Sequence, residues 1–234
     1  MGNKNILLGL TTTRRSDWRG KVNEIIKYGI KEISLFPTAL PKKEREELYS
    51  LLKRIPALKI PHAHLRGDMS INEIDYLAKN FQTKLFNIHP KKSKYSHPEY
   101  IKKYADMVYI ENVDIVPEEE ELMQYAGLCL DFSHWEDYKL QKNEDYINKL
   151  ERLLPLYKIG CCHISGIVEK PHSNEDRSNQ GTKVYSTHLM KNLKEVDYIK
   201  KYKKYLHEYI SIELENDFIE QLKVKKYLEK LINF

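Results

Sequence analysis

The sequence predicts one α/β domain over residues 1–234, a closed (β/α)8 TIM barrel, on three observations. Short apolar runs alternate with longer charge-rich amphipathic segments, there are eight such runs, and no glycine-rich phosphate loop follows the first. Strict alternation implies parallel strands joined by crossover helices. Eight units point to closure into a barrel, whereas an open doubly wound sheet usually carries a glycine-rich loop after strand one, where this chain has TTTRRSDW. A length of 234 residues fits such a barrel, which runs to roughly 200–250 residues.

The strand candidates are Ile6–Thr12, Ile33–Phe36, Leu58–Leu65, Leu85–His89, Val108–Val113, Leu128–Phe132, Ile159–Ile164 and Tyr209–Leu214. They are dense in Ile, Val, Leu, Tyr and Cys, as expected of strands covered on both faces. Between them, Asp17–Tyr28 is a helix stopped by Gly29. Lys42–Arg54 follows Pro41 and places Leu48, Leu51, Leu52 and Ile55 on one face. Ser70 and Glu73 form a capping box for the next helix. Pro98–Tyr104, Glu118–Tyr125, Glu144–Leu154, His188–Tyr205 and Asp217–Ile232 complete the helices, and Ser165–Thr187 reads as a long active-site loop.

Composition narrows the function. A hydrophobic fraction of 41% argues for a packed core. The net charge of +5 comes from lysines spread along helices, which permits an anionic substrate without demanding nucleic acid. Three cysteines make no disulfide framework, so a reducing, cytoplasmic location is expected. The N-terminus lacks the features of a signal peptide, Ile6 removes a myristoylation signal, and no run approaches the ~18 apolar residues of a membrane span.

The chemistry collects at strand ends. Strand three ends in His62 and His64, strand four in His89, strand five in Glu111, strand six in Asp131 and His134, strand seven in His163, and strand eight in Glu213 and Glu215. Five of the nine histidines therefore fall where barrel strands converge on one mouth, which favours a shared site over scattered structural roles. With period-two alternation, Cys161 and His163 face opposite to Cys162 and Ile164, and Ser211, Glu213 and Glu215 share a face. Buried carboxylates need a compensating cation. Mixed imidazole and carboxylate donors suit a divalent metal, zinc foremost, with manganese, iron or cobalt as alternatives to it and calcium disfavoured. A hydrogen-bonded polar layer without metal is the plainer alternative. Cys161–Cys162 reads as packing rather than a redox pair, and Lys200–Tyr205 as an amphipathic helix rather than an RNA face. Lys91, Lys92 and Lys94 stand open between phosphate binding and solvent exposure.

The motif order EISLFP, IPHAHL, FNIHP, IENV, LDFSH, CCHIS, IELEND resembles the xylose-isomerase-like barrel superfamily, locally the endonuclease IV (family 2 AP endonuclease) pattern. That resemblance implies one metal on His62, His89 and Glu111, and a second on Glu111, Asp131, His163 and Glu213. It implies a third on His134 and an Asp-Arg-His motif; here Asp176-Arg177 is followed by Ser178, so a ligand is lost unless His172 or His188 replaces it. Lys91-Lys92 also replaces the family's Gly-Ser, and the loops that engage abasic DNA are short. The isomerase and epimerase branch implies one metal on Glu111, Asp131, His163 and Glu213, with Glu111 and Glu213 as catalytic proton carriers. The ligand set favours a two-metal phosphoester hydrolase; short loops favour a single-metal sugar or sugar-phosphate isomerase or epimerase; a non-catalytic metal-binding scaffold is the third reading. The expected partner is a small anionic or sugar-like substrate, with nucleic acid a lesser option and no membrane.

Overall fold

The computed structural model describes residues 4–14, 16–92, 97–173 and 183–232. Eight parallel strands close a barrel in the order β1-β10-β7-β6-β5-β4-β3-β2. They are β1 (Asn5–Thr11), β2 (Glu32–Phe36), β3 (Lys59–His64), β4 (Leu85–Ile88), β5 (Val108–Glu111), β6 (Gly127–Asp131), β7 (Ile159–Ile164) and β10 (Tyr209–Ile212). The helices are α1 (Trp18–Lys27), α2 (Lys42–Lys53), α3 (Ile71–Phe81), α4 (Glu119–Leu122), α5 (Phe132–Leu140), α6 (Glu144–Leu153) and α7 (Phe218–Ile232). The predicted helices after β4 and before β10 are 3-10 segments, Glu99–Met107 and Leu193–Tyr205.

Local chemistry sets the boundaries. Asp17 caps α1 through Gly20 N, and Gly29 at φ +64° ends that unit in a left-handed turn that glycine adopts without strain. The Ser70–Glu73 capping box starts α3, as expected. Glu73 also takes Arg45 in a two-pronged pair buried between α2 and α3.

Two elements differ from expectation. The loop after β7 contains an antiparallel hairpin, β8 (Gly166–Ser173) with β9 (Lys183–Thr187), held to α5 by Asp137, which accepts from Tyr185 N and Ser186 Oγ. Residues Phe132–Leu140, read partly as strand end, form α5, because Asp131 ends β6 and caps the helix at once.

Each strand divides its side chains between two environments. Those pointing outward join the core between barrel and helices, as Ile60, Ile110, Leu130, Cys162 and Ile212 do. Those pointing inward begin with a floor of Leu85, Tyr109, Cys129 and Cys161. The split of Cys161 from Cys162 is that of alternating strand faces. At the seam, β1 and β10 pair only as far as Leu7 and Ser211. Beyond that, the buried Gln221 side chain of α7 takes over, accepting from Gly9 N and donating to the carbonyls of Gly9, Leu214 and Asn216. Glu213 N meanwhile donates to Ile164 O of β7, which fixes the strand end where Glu213 sits. Among the described residues no helix is long and apolar enough to cross a membrane.

Candidate metal centre

The inward side chains above the floor form two polar layers. The upper layer holds His64, Glu111, Asp131, His163 and Glu213, each at or next to the last residue of its strand. Ligand atoms of Glu111, Asp131, His163 and Glu213 all lie within 4.8 Å of one another, and all four side chains are buried. His163 Nδ1 is 3.4 Å from Glu111 Oε1, 3.2 Å from Glu213 Oε2 and 3.9 Å from Asp131 Oδ2. A second group, His64, His89 and Glu111, meets the same distance limit. Glu111 serves both: Oε1 faces His163, while Oε2 lies 3.2 Å from His64 Nε2 and 4.0 Å from His89 Nε2.

These residues fit a divalent cation. Buried polar atoms almost always find a hydrogen-bond partner. Yet His163 Nδ1, Asp131 Oδ2 and His64 Nε2 have none, and all three point into this cluster. The helix cap explains Asp131: its Oδ1 accepts from Ser133 N, Ser133 Oγ and His134 N, leaving Oδ2 to the site. One nitrogen with carboxylate oxygens is a donor set for zinc, manganese, iron or magnesium.

The electrostatics are those of an ion cluster. Burial alone would raise Glu111, but His163 and His64 outweigh it and hold its carboxyl well below the usual range. Glu213 is likewise pulled against its burial, to about 2, by His163. Burial would lower His163, yet Glu111 and Glu213 raise it well above the ordinary imidazole value. His89 is pushed down to about 4 by burial and by neighbouring His64.

A second polar layer lies below this cluster. His62 sits there and not with the upper donors, its Nδ1 2.7 Å from Ser211 Oγ and its Nε2 2.9 Å from Asn87 Oδ1. Both ring nitrogens are thus engaged inside the barrel, while His64, two residues on, takes the place beside Glu111. Cys129 Sγ lies 3.3 Å from His163 Nε2 and, with His62, forms a third group of potential donors. Phe36 packs edge-on against His163, with ring centroids 4.9 Å apart, and walls the site toward β2.

His134, in the first turn of α5, acts electrostatically on His89 but joins none of the donor groups found among the described residues. Asp176 lies outside the described residues. His172 is exposed on β8, bonded to Ser173 O and Ser186 O, away from the cluster. His188 is closer: its Nδ1 donates to Glu213 O, and the Glu213 and Asp131 charges help raise its pKa. The Lys91 and Lys92 ammonium groups reach Gln124 and Glu118 rather than the mouth, and Lys94 lies outside the described residues. In the segment Lys200–Tyr205, Lys200 pairs with Asp197, and Tyr202 is buried against Phe132 and Trp135. Sequence reasoning left Asn87, Ser211 and Phe36 unassigned, although Asn87 lies within FNIHP and Ser211 shares the face of Glu213.

No family model matches the chain, and no curated protein does. Solved structures resemble it in fold. A xylose isomerase-like TIM barrel protein from Mycobacterium smegmatis, in complex with magnesium, is 13% identical, with a TM-score of 0.48 over 100% of this chain and 99% of that one. The IOLI protein with a bound zinc atom is 14% identical, with a TM-score of 0.48 over 97% and 98%. A D-tagatose 3-epimerase-like protein is 12% identical, with a TM-score of 0.47 over 97% of each chain.

Proposed function

We propose that the chain is a divalent-metal-dependent isomerase or epimerase of a small sugar or sugar phosphate, with one cation held by Glu111, Asp131, His163 and Glu213. The observation that carries this reading is the convergence of four buried donors within 4.8 Å, two of whose atoms lack any hydrogen-bond partner. A bound divalent cation would polarise neighbouring carbonyl and hydroxyl oxygens of a substrate and so acidify the C–H between them. Glu111 and Glu213, both held as carboxylates at neutral pH, are in the form that accepts a proton from carbon and returns it. His89, neutral at that pH and a quarter exposed, is placed to hydrogen-bond substrate hydroxyls at the mouth. Phe36 keeps water from one side of the cluster.

A two-metal phosphoester hydrolase is the second reading, favoured by Glu111 facing both donor groups as a bridging carboxylate would. Against it, Glu111 Oε2 already accepts a short hydrogen bond from Asn87 Nδ2, and His89 stands 4.0 Å away.

Metal content per chain after reconstitution, with a substrate panel, tests the two. The isomerase reading expects one cation per chain and deuterium exchange from solvent into a ketose, aldose or their phosphates, with cation affinity weakened and exchange lost in Asp131→Asn. Two cations with phosphate release and no exchange would establish the hydrolase instead. A chain that takes up no cation would remove both.

A further inference from the structure

Beneath the proposed cation lies a directional chain of buried hydrogen bonds, and its direction follows from one end. A carboxylate only accepts, so the Asn87 group on Glu111 Oε2 is the NH2. Asn87 Oδ1 is then the acceptor that faces His62 Nε2 at 2.9 Å, so Nε2 carries the ring proton. Nδ1 keeps its lone pair and receives the hydroxyl of Ser211 at 2.7 Å. Ser211, His62 and Asn87 are each fully buried; β3 and β4 are neighbouring strands, and β10 is separated from β3 by β1 and β2. No water is needed to complete the run, and reversing any one link strands a buried donor or acceptor.

We propose that His62 is a positioning residue: through Asn87 it fixes the Glu111 carboxylate so that Oε2 is capped from below and Oε1 is presented to the cation. This rests on the metal site proposed above and assigns His62 a role other than ligation. Outer partners of this kind orient ligands and set their affinity without touching the metal. Here the carboxylate is held by an amide whose own orientation is set by a histidine tautomer. His62→Leu leaves Asn87 Oδ1 without its donor and frees the amide to turn its oxygen toward Glu111, where like lone pairs repel.

The test has two arms. On the metal-free wild-type chain, 15N spectra of the histidine ring nitrogens should show His62 protonated at Nε2 alone; any other protonation pattern overturns the proposal. Cobalt titration, read by visible absorption, should give a ~10–100-fold weaker affinity for His62→Leu. His62→Gln, whose amide N–H can still reach Asn87 Oδ1, should retain most of the wild-type affinity. Wild-type cobalt binding by His62→Leu, or an equal loss in His62→Gln, overturns the proposal. If the leucine variant fails to fold, the ring-nitrogen measurement decides. A wild-type chain that binds no cobalt defeats the metal site itself, which separates that failure from a failure of the relay.

Discussion

Cation uptake should expel about one proton per site at pH 7, and that proton should come from His163. Its Nδ1 is the one nitrogen of the four-donor group, and Glu111 and Glu213 raise its pKa well above 6.5, so the metal-free ring is an imidazolium. A cation needs the Nδ1 lone pair and must displace the proton. The neighbours contribute none: Glu111 is held well below its usual range, Glu213 lies at about 2, and His89 at about 4 is already neutral. Protons and cation therefore compete for one atom, and affinity falls as pH falls. Below the His163 pKa the apparent association constant should rise about tenfold per pH unit, or about 1.4 kcal/mol. Isothermal titration of zinc or manganese in buffers of different ionisation enthalpy counts the protons directly. Asp131→Asn, which keeps both glutamates, should leave proton release per bound cation unchanged while weakening affinity. A proton count near zero, with affinity flat from pH 6 to 8, would refute the assignment of His163 as an imidazolium awaiting exchange.

Three further perturbations probe the frame around the site. Lys21 donates to Asn216 O beside Glu213, and burial, partly offset by Glu215, Glu24 and Asp217, depresses it to about 8. From pH 8 to 10.5 the unfolded chain holds a proton the folded chain has shed. Stability from this group therefore rises through that window by about 3 kcal/mol, and urea unfolding of wild type against Lys21→Met should diverge there; parallel curves would refute the shift. Arg45→Met leaves Glu73 buried without its partner and should cost about 3–5 kcal/mol; adding Glu73→Gln should recover part of that in calorimetry, and no recovery would count against the pair. A Cβ on Gly160 would fall 2.0 Å from the Tyr109 ring in the barrel floor, so Gly160→Ala should lose roughly 1–3 kcal/mol, with Tyr109→Leu relieving it and an unshifted melting curve arguing against a packed floor.

The barrel was legible because each strand is an apolar run of strand length, and strands three to eight also carry an imidazole or a carboxylate at the C-terminal end. Depth inside the barrel was not. Period two places both His62 and His64 on the inner face, and nothing local says which reaches the mouth. That depends on stagger between neighbours, here including a register shift where β2 meets β3 between Glu32 and Ser34. The α5 helix was hidden for a related reason: FSHWEDYKL is buried on several sides, at Phe132, Ser133, Trp135, Glu136 and Asp137, so no polar stripe marks it as amphipathic. Its cap, Asp131, reads equally well as the end of a strand, and it is both.

The two polar layers differ in how their valences are spent, and that difference separates scaffold from site. In the lower layer both nitrogens of His62 and the amide of Asn87 find side-chain partners on other strands, so these groups are satisfied as they stand. In the upper layer Asp131 spends one oxygen on a helix cap and His163 spends Nε2 on Cys129, while Asp131 Oδ2 has no hydrogen-bond partner and His163 Nδ1 faces the Glu111 and Glu213 carboxylates at 3.4 and 3.2 Å without a well-aligned hydrogen bond to either. A layer meant only to fill the barrel would have had its last valences closed by a hydroxyl or an amide, as the one below it is. Leaving these two atoms without hydrogen bonds among buried carboxylates costs stability in the metal-free chain, and a cation at that point would recover it. His163 belongs to both layers, so a disturbance of the lower one should reach the upper through its ring.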